Sequence, residues 1–227
     1  MSAVRERWGG ASEPRPVPRS VYPICESSVV GTAEFPVQRV AAAFRGVLQS
    51  IGLDLDDPNL AMTPDRVARA YREILGGLRS PEPTLSTFPN TRGHKGVVAV
   101  TDIPFYSVCS HHFLPFFGSA HMGYLPANRL IGLSKVSRAV DFYARRPQLQ
   151  EDLTEQIASL LQERLEPKGL IVALEARHLC MEMRGVSRPG VLTKTMAVRG
   201  ALEDPLLQQQ FFARVGGSAA GRTGTET

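Results

Sequence analysis

Residues 169–185 read GLIVALEARHLCMEMRG, an apolar run that passes into alternation. Side chains two apart share one face of a strand. His178, Cys180, Glu182 and Arg184 are therefore expected on one side, and Leu179, Met181 and Met183 on the other. One face would be core and the other a polar site. Two helical stretches precede this strand. SKVSRAVDFYARR (134–146) is ended by Pro147, and QEDLTEQIASLLQERL (150–165) places Leu153, Ile157, Leu160, Leu161 and Leu165 on one face. Before them, GVVAVTDIPF (96–105), FFGSAHMGYLP (116–126) and RLIGLS (129–134) are short, apolar or alternating, and punctuated by Gly and Pro, as strands are. LTKTMAVRG (192–200) resumes the strand pattern downstream. Strands outside with helices between predict an α+β fold with a largely antiparallel sheet.

A small helical region is expected ahead of that sheet. PVQRVAAAFRGVLQSIG (36–52) puts Val37, Val40, Phe44, Val47, Leu48 and Ile51 on one face and stops at Gly52. In TPDRVARAYREILGG (63–77), Thr63 is placed to cap and Pro64 suits the first helical position, with Val67, Ala70, Tyr71, Ile74 and Leu75 as the buried stripe. SPEPTLSTFPNTRGHKG (80–96) reads as a loop. Four prolines before residue 24 without apolar periodicity, and VGGSAAGRTGTET at the other end, read as flexible arms. The expected organisation is a disordered arm (1–30), a helical region (31–85), a catalytic domain (86–213) and a disordered tail (214–227).

The chain has 227 residues, 43% of them apolar and 21% charged, enough for one large or two small domains with a real core. No stretch approaches the roughly 18 apolar residues of a membrane span, and MSAVRERWGG lacks the apolar block of a secretory signal. A soluble, cytoplasmic protein is expected, with no membrane partner. Three cysteines, Cys25, Cys109 and Cys180, are too few for a disulfide framework and point to thiol or metal chemistry. A net charge of +4 suits a polyanionic ligand, but without a long Lys/Arg run it does not indicate nucleic acid.

Metal-capable groups concentrate in two segments. SVCSHHFLPF (107–116) carries Cys109, His111 and His112, and RHLC (177–180) carries His178 and Cys180. Cys109 and His112 form a C-x-x-H pair able to aim two donors at one ion, and Cys180 is the only other cysteine outside the N-terminal arm. Three donors rather than four suggest a catalytic Zn2+, because structural zinc is almost always held by four protein ligands. Unrelated buried cysteines and a structural site remain the alternatives. Two adjacent histidines do not easily face one ion, which leaves His111 and His178 as candidate proton-transfer groups.

GLSKVSRAVDF (132–142) supplies Ser134, Lys135 and Arg138 at a strand-to-helix junction, where free N–H groups and the helix dipole favour an anion. Arg184 and the pair Arg66 and Arg69 add positive charge, although a solvated face is the plainer account of each alone. Together they suggest a phosphorylated small molecule. Glu151 offers a carboxylate for the paired N–H groups of a base such as guanine.

TPDRVARAY (63–71), FYSVCSHHFLPFFG (105–118), GLSKVSRAVDFYARRPQLQEDLTEQIA (132–158) and RHLCMEMRGV (177–186), in this order and at these intervals, resemble GTP cyclohydrolase I. The resemblance covers about residues 36–213. It implies a tunnelling fold, with an antiparallel sheet, two helices packed on one side, and assembly into a barrel-centred homo-oligomer, typically a decamer, with active sites at subunit interfaces. It implies conversion of GTP and water to 7,8-dihydroneopterin triphosphate and formate, the first step of pterin/tetrahydrofolate or deazapurine biosynthesis. By position, Cys109, His112 and Cys180 match the zinc ligands, and His111 and His178 the acid/base histidines. Glu151, with the backbone near Gln150, matches guanine recognition. Ser134, Lys135, Arg138 and Arg184 match the triphosphate cradle, joined by Arg66 and by Arg69, where the family often has Lys.

Two positions depart from the family pattern. Ser110 stands where most members carry Glu, and Val191 and Leu192 intrude on a small, hydroxyl-rich strand. They raise two alternatives: a specialised paralogue that stops at the ring-opened formamidopyrimidine, or a non-catalytic GTP-binding zinc protein. A pterin synthase or nitrile reductase on the same fold is a further rival, but C-x-H-H with a distant H-x-C fits neither well.

Overall fold

The computed structural model describes residues 34–217. The N-terminal arm lies outside the described residues, as does the tail from 218 onward. The elements run α1 (Val37–Ser50), α2 (Thr63–Ile74), β1 (Thr87–Pro89), β2 (Val98–Cys109), β3 (Pro115–Leu125), β4 (Arg129–Ile131), α3 (Leu133–Ala144), β5 (Pro147–Gln148), α4 (Gln150–Leu165), β6 (Gly169–His178), α5 (Leu179–Glu182), β7 (Thr193–Gly200) and α6 (Pro205–Gly217). None of these helices is long and apolar enough to cross a membrane.

The mixed α+β architecture follows the sequence pattern. Five strands form one sheet in the order β5-β2-β3-β6-β7. The pairs β2/β3, β3/β6 and β6/β7 are antiparallel, whereas the two residues of β5 run parallel to the end of β2. Alternation then sorts the faces. Phe116, Ala120, Met122 and Tyr124 of β3 and Leu170, Val172, Leu174 and Ala176 of β6 join one core with Val136, Ala139 and Val140 of α3 and Leu153, Ile157 and Leu161 of α4. Burying each large side chain of this set contributes about 1.5–3 kcal/mol. The full α4 stripe expected from the sequence, including Leu160 and Leu165, is buried.

On the opposite face Ile171 and Ala173 meet Leu202 and Phe211. Phe211 belongs to α6, an element the sequence reading did not assign, and whose last turn takes up residues 214–217 of the expected tail. The helix seats there because Gly123 leaves a hollow: a Cβ at that position would lie 2.5 Å from the Phe211 ring.

Four local expectations are corrected. The strand does not continue to 184. Its last ladder partners are Phe117 with Arg177 and Phe116 with His178. The next residue of β3 is Pro115, which has no N–H to give, and β7 ends its pairing at Ala176. With no partner on either side, Leu179–Glu182 coils into the single turn α5 instead, and the shared face drawn from His178 to Arg184 is broken. Second, Thr63 does not cap α2; Met62 occupies the cap position and no side chain bonds there. Third, the stripe of α1 is only partly covered, for Ala41 and Leu48 are buried while Val47 and Ile51 stay 51% and 67% exposed. Residues 87–89, read as loop, pair with β4 in a small ribbon.

One buried group predicts a pH response. The β2/β3 register shifts between Val100 and Ile103, and Asp102 there has φ 57°. Its N–H donates to Nδ1 of His121, 3.1 Å away, and His121 is only 4% exposed. Burial holds the imidazole below its ordinary 6.5; Asp102 and Glu175 oppose this, and Lys194 adds to it. A folded-state value below the unfolded one means that the unfolded chain binds the extra proton. The stabilising contribution is therefore whole above pH 6.5 and drains away as the pH falls below it. His121→Asn, whose amide oxygen can replace Nδ1, should flatten this part of the stability profile in denaturant titrations between pH 8 and 5. Parallel profiles for the two proteins would refute the assignment.

Candidate metal centre and its surroundings

The loop that joins β2 to β3 is closed by two backbone bonds: Cys109 N–H to Leu114 O at 2.9 Å and Phe113 N–H to Cys109 O at 2.9 Å. Phe113 adopts φ 57° to make the turn. Its ring lies 5.8 Å from Tyr71 of α2, which in turn lies 6.2 Å from Phe44 of α1. The apolar FLPF run therefore divides: Phe116 is fully buried, and Phe113, 46% exposed, leans on the helical pair. This loop presents His112, whose Nδ1 is 3.9 Å from Cys109 Sγ.

Cys180 reaches the same place from α5. A two-pronged ion pair fixes that turn: Arg177 Nε and Nη2 donate to the two carboxylate oxygens of Glu182 at 2.8 and 2.6 Å. Glu182, expected on the polar face with His178 and Cys180, is thus the partner of Arg177, which holds its carboxyl below the usual range. The donor atoms of Cys109, His112 and Cys180 all lie within 4.8 Å of one another. Tetrahedral donors at zinc bond lengths sit about 3.5–4 Å apart, so the group fits one ion. Burial and the adjacent Cys109 push the Cys180 thiol up in the absence of a cation. A bound cation reverses that sense by favouring thiolates.

His111 does not point with His112; the rings are 6.1 Å apart at 86°, and both side chains are exposed. Arg184 Nη1 lies 3.2 Å from His112 Nε2. His178, the last residue of β6, stacks on Phe116 at 4.8 Å with the planes 1° apart. Its Nε2 is 2.8 Å from Oε1 of Gln150, the first residue of α4. Burial lowers the His178 value, and Glu151 opposes that shift. Ser110 is tied through its N–H to Gln148 O at 3.2 Å.

Of the expected anion cradle Arg184 is at the metal end, whereas the α3 part lies elsewhere. Ile131, two residues before α3, donates its N–H to Tyr124 Oη at 3.4 Å. Tyr124 pairs with Val98, at the opposite end of twelve-residue β2 from Cys109. That strand spans on the order of 35 Å. Ser134 and Lys135 at the start of α3, and Arg138 one turn on, are therefore at one end of the sheet, and the three metal donors are at the other. The first turn of α3 carries no acidic residue to compete for an anion. Arg66 and Arg69 are exposed on α2, the helix whose Tyr71 touches the metal loop.

Residues 40–216 match the family model of GTP cyclohydrolase I. This chain belongs to the GTP cyclohydrolase I family. Similar relatives carry the name GTP cyclohydrolase 1: that of Thermobifida fusca is 53% identical over 169 residues (73% of this chain, 81% of the relative). That of Streptomyces griseus is 52% identical over 184 residues (80% and 91%). That of Mycolicibacterium vanbaalenii is 51% identical over 177 residues (77% and 87%). Among solved structures, the apo form of the archaeosine synthase QueF-Like aligns with 48% of this chain and 97% of its own at TM-score 0.39 and 18% identity, too distant a likeness to bear on the reaction.

For a GTP cyclohydrolase I chain, two features of this centre were hidden in the sequence. The Gln150 side chain, 1% exposed, is turned into the fold rather than outward beside Glu151. The Arg177/Glu182 brace was masked by the assumption of a continuous strand, which puts residues 177 and 182 on opposite faces. The strand-ending Pro115 was the available signal.

Proposed function

We propose that this chain converts GTP and water to 7,8-dihydroneopterin triphosphate and formate at a Zn2+ held by Cys109, His112 and Cys180. The observation that carries the reading is the meeting of those three donors, from two distant segments, within 4.8 Å beside an anchored His178. A bound zinc would supply a Lewis acid for opening of the imidazole ring of the base. His178 and His111 are the proton-transfer groups of the proposal, serving ring opening, formate release and rearrangement of the ribose. Glu151, exposed in the first turn of α4, accepts the paired N–H groups of guanine. Arg184, beside His112, and Arg66 and Arg69 add positive charge for the triphosphate.

Ser134, Lys135 and Arg138 complete the cradle from another copy of the chain, since their own copy places them at the far end of the sheet. A homo-oligomer with shared sites follows, and the family's barrel-centred decamer of tunnelling-fold subunits, with two helices on one side of each sheet, is the form proposed. Residues 86–213 make up its catalytic domain and 31–85 its helical region, and the cytoplasm is its compartment. Mass analysis of the product from GTP, with formate and zinc measured on the same sample, tests the reading. Accumulation of the ring-opened formamidopyrimidine would show a paralogue that stops early, and GTP binding without formate a non-catalytic zinc protein.

A further inference from the structure

The Gln150 side chain is enclosed by groups that settle which way its amide faces. Its Nε2 lies 3.3 Å from Leu174 O, 3.1 Å from Thr193 O and 3.0 Å from Thr195 Oγ1. The first two are backbone carbonyls, which only accept. Thr154 Oγ1 donates to Gln150 O at 2.8 Å and lies 2.7 Å from Thr195 Oγ1. With the Thr154 proton so committed, the Thr195 hydroxyl donates to Thr154 and accepts from the Gln150 amide. Every bond in this ring runs in one direction. A flipped amide would set its oxygen against two carbonyls, so the atom that meets His178 Nε2 at 2.8 Å is an acceptor. His178 Nε2 must then donate. The Phe116 ring, parallel to the imidazole at 4.8 Å, covers one of its faces.

We propose that Gln150 is a positioning residue: it fixes the His178 ring through Nε2 and leaves Nδ1 as its one free nitrogen. This rests on the GTP cyclohydrolase reading for its consequence in turnover, and it reassigns Gln150 from the edge of the guanine site to the support of the histidine. Strands β6 and β7 and the first turn of α4 are joined by the same amide, so the ring is aimed by the sheet rather than by a loop.

The test uses the full-length, zinc-loaded protein and the variants Gln150→Met and Gln150→Glu. Methionine keeps the length of the side chain and removes both polar atoms; glutamate, which burial favours as the neutral acid, restores an oxygen opposite Nε2 and can turn its O–H to the carbonyls. Gln150→Met should keep its zinc and its KM for GTP within about threefold, while kcat falls about 100-fold, the scale of a misplaced reacting group. Gln150→Glu should recover about tenfold of that loss. A rise in KM with kcat intact would overturn the proposal in favour of a substrate contact, and equal kcat losses in both variants would overturn it in favour of a structural role. The ring ¹⁵N spectrum of His178, one of five histidines, gives a readout independent of turnover. A proton on Nε2 and none on Nδ1 is expected in the wild type, and the reverse refutes the proposal. If the wild type does not turn over GTP, the functional reading fails and the spectrum still decides the inference.

Discussion

Cys180→Ala is expected to release the metal and abolish turnover while leaving the fold standing. Cys180 sits half-buried on a single helical turn at the edge of the main core, the substitution removes only its Sγ, and alanine is the best helix former. Little packing is therefore lost. What remains at the centre is Cys109 and His112, two donors from one loop. Removing even an outer partner of a metal ligand costs about 10–100-fold in affinity, and loss of a thiolate should exceed that. Metal analysis after desalting, with formate release from GTP on the same sample, measures both effects. Stoichiometric zinc in the variant would remove Cys180 from the ligand set.

His178→Ala should separate binding from chemistry. The donor group that fits an ion is Cys109, His112 and Cys180, with His178 outside it, and the Nε2 of His178 is engaged with Gln150. Zinc should stay at the wild-type level, and kcat should fall by about 10²–10⁴, the usual contribution of a positioned proton-transfer group. Truncation also leaves Gln150 Oε1 without its partner in a buried place, a cost of about 1–3 kcal/mol that thermal unfolding should detect. Zinc loss equal to that of Cys180→Ala would contradict this division of roles.

Much of this was legible in the residues, for reasons that also mark where legibility stopped. The α4 stripe was plain because a 16-residue helix repeats its buried face several times. The metal donors were plain because thiols and imidazoles are scarce in this chain. The end of β6 was not plain, because it is set by the neighbour: periodicity inside 169–185 says nothing of Pro115, whose missing N–H lies in another segment. Likewise α6 depends on the hollow at Gly123, which only the folded sheet creates. The inward turn of the Gln150 amide was hidden for a related reason. Sequence adjacency to Glu151 suggested a shared task, yet neighbours on a helix point about 100° apart, and one turned inward while the other stayed in solvent.

The length of β2 has a consequence in genetic terms. In the proposed assembly each polypeptide contributes the metal end of one site and the phosphate end of another. Two alleles, one ruined at Cys180 and one at Lys135, would each encode an inert enzyme, yet co-expressed they would build some sites from two undamaged halves. A copy damaged at both ends, by the same token, spoils two active sites among mixed subunits, whereas a copy damaged at one end spoils only the site to which it gives that end.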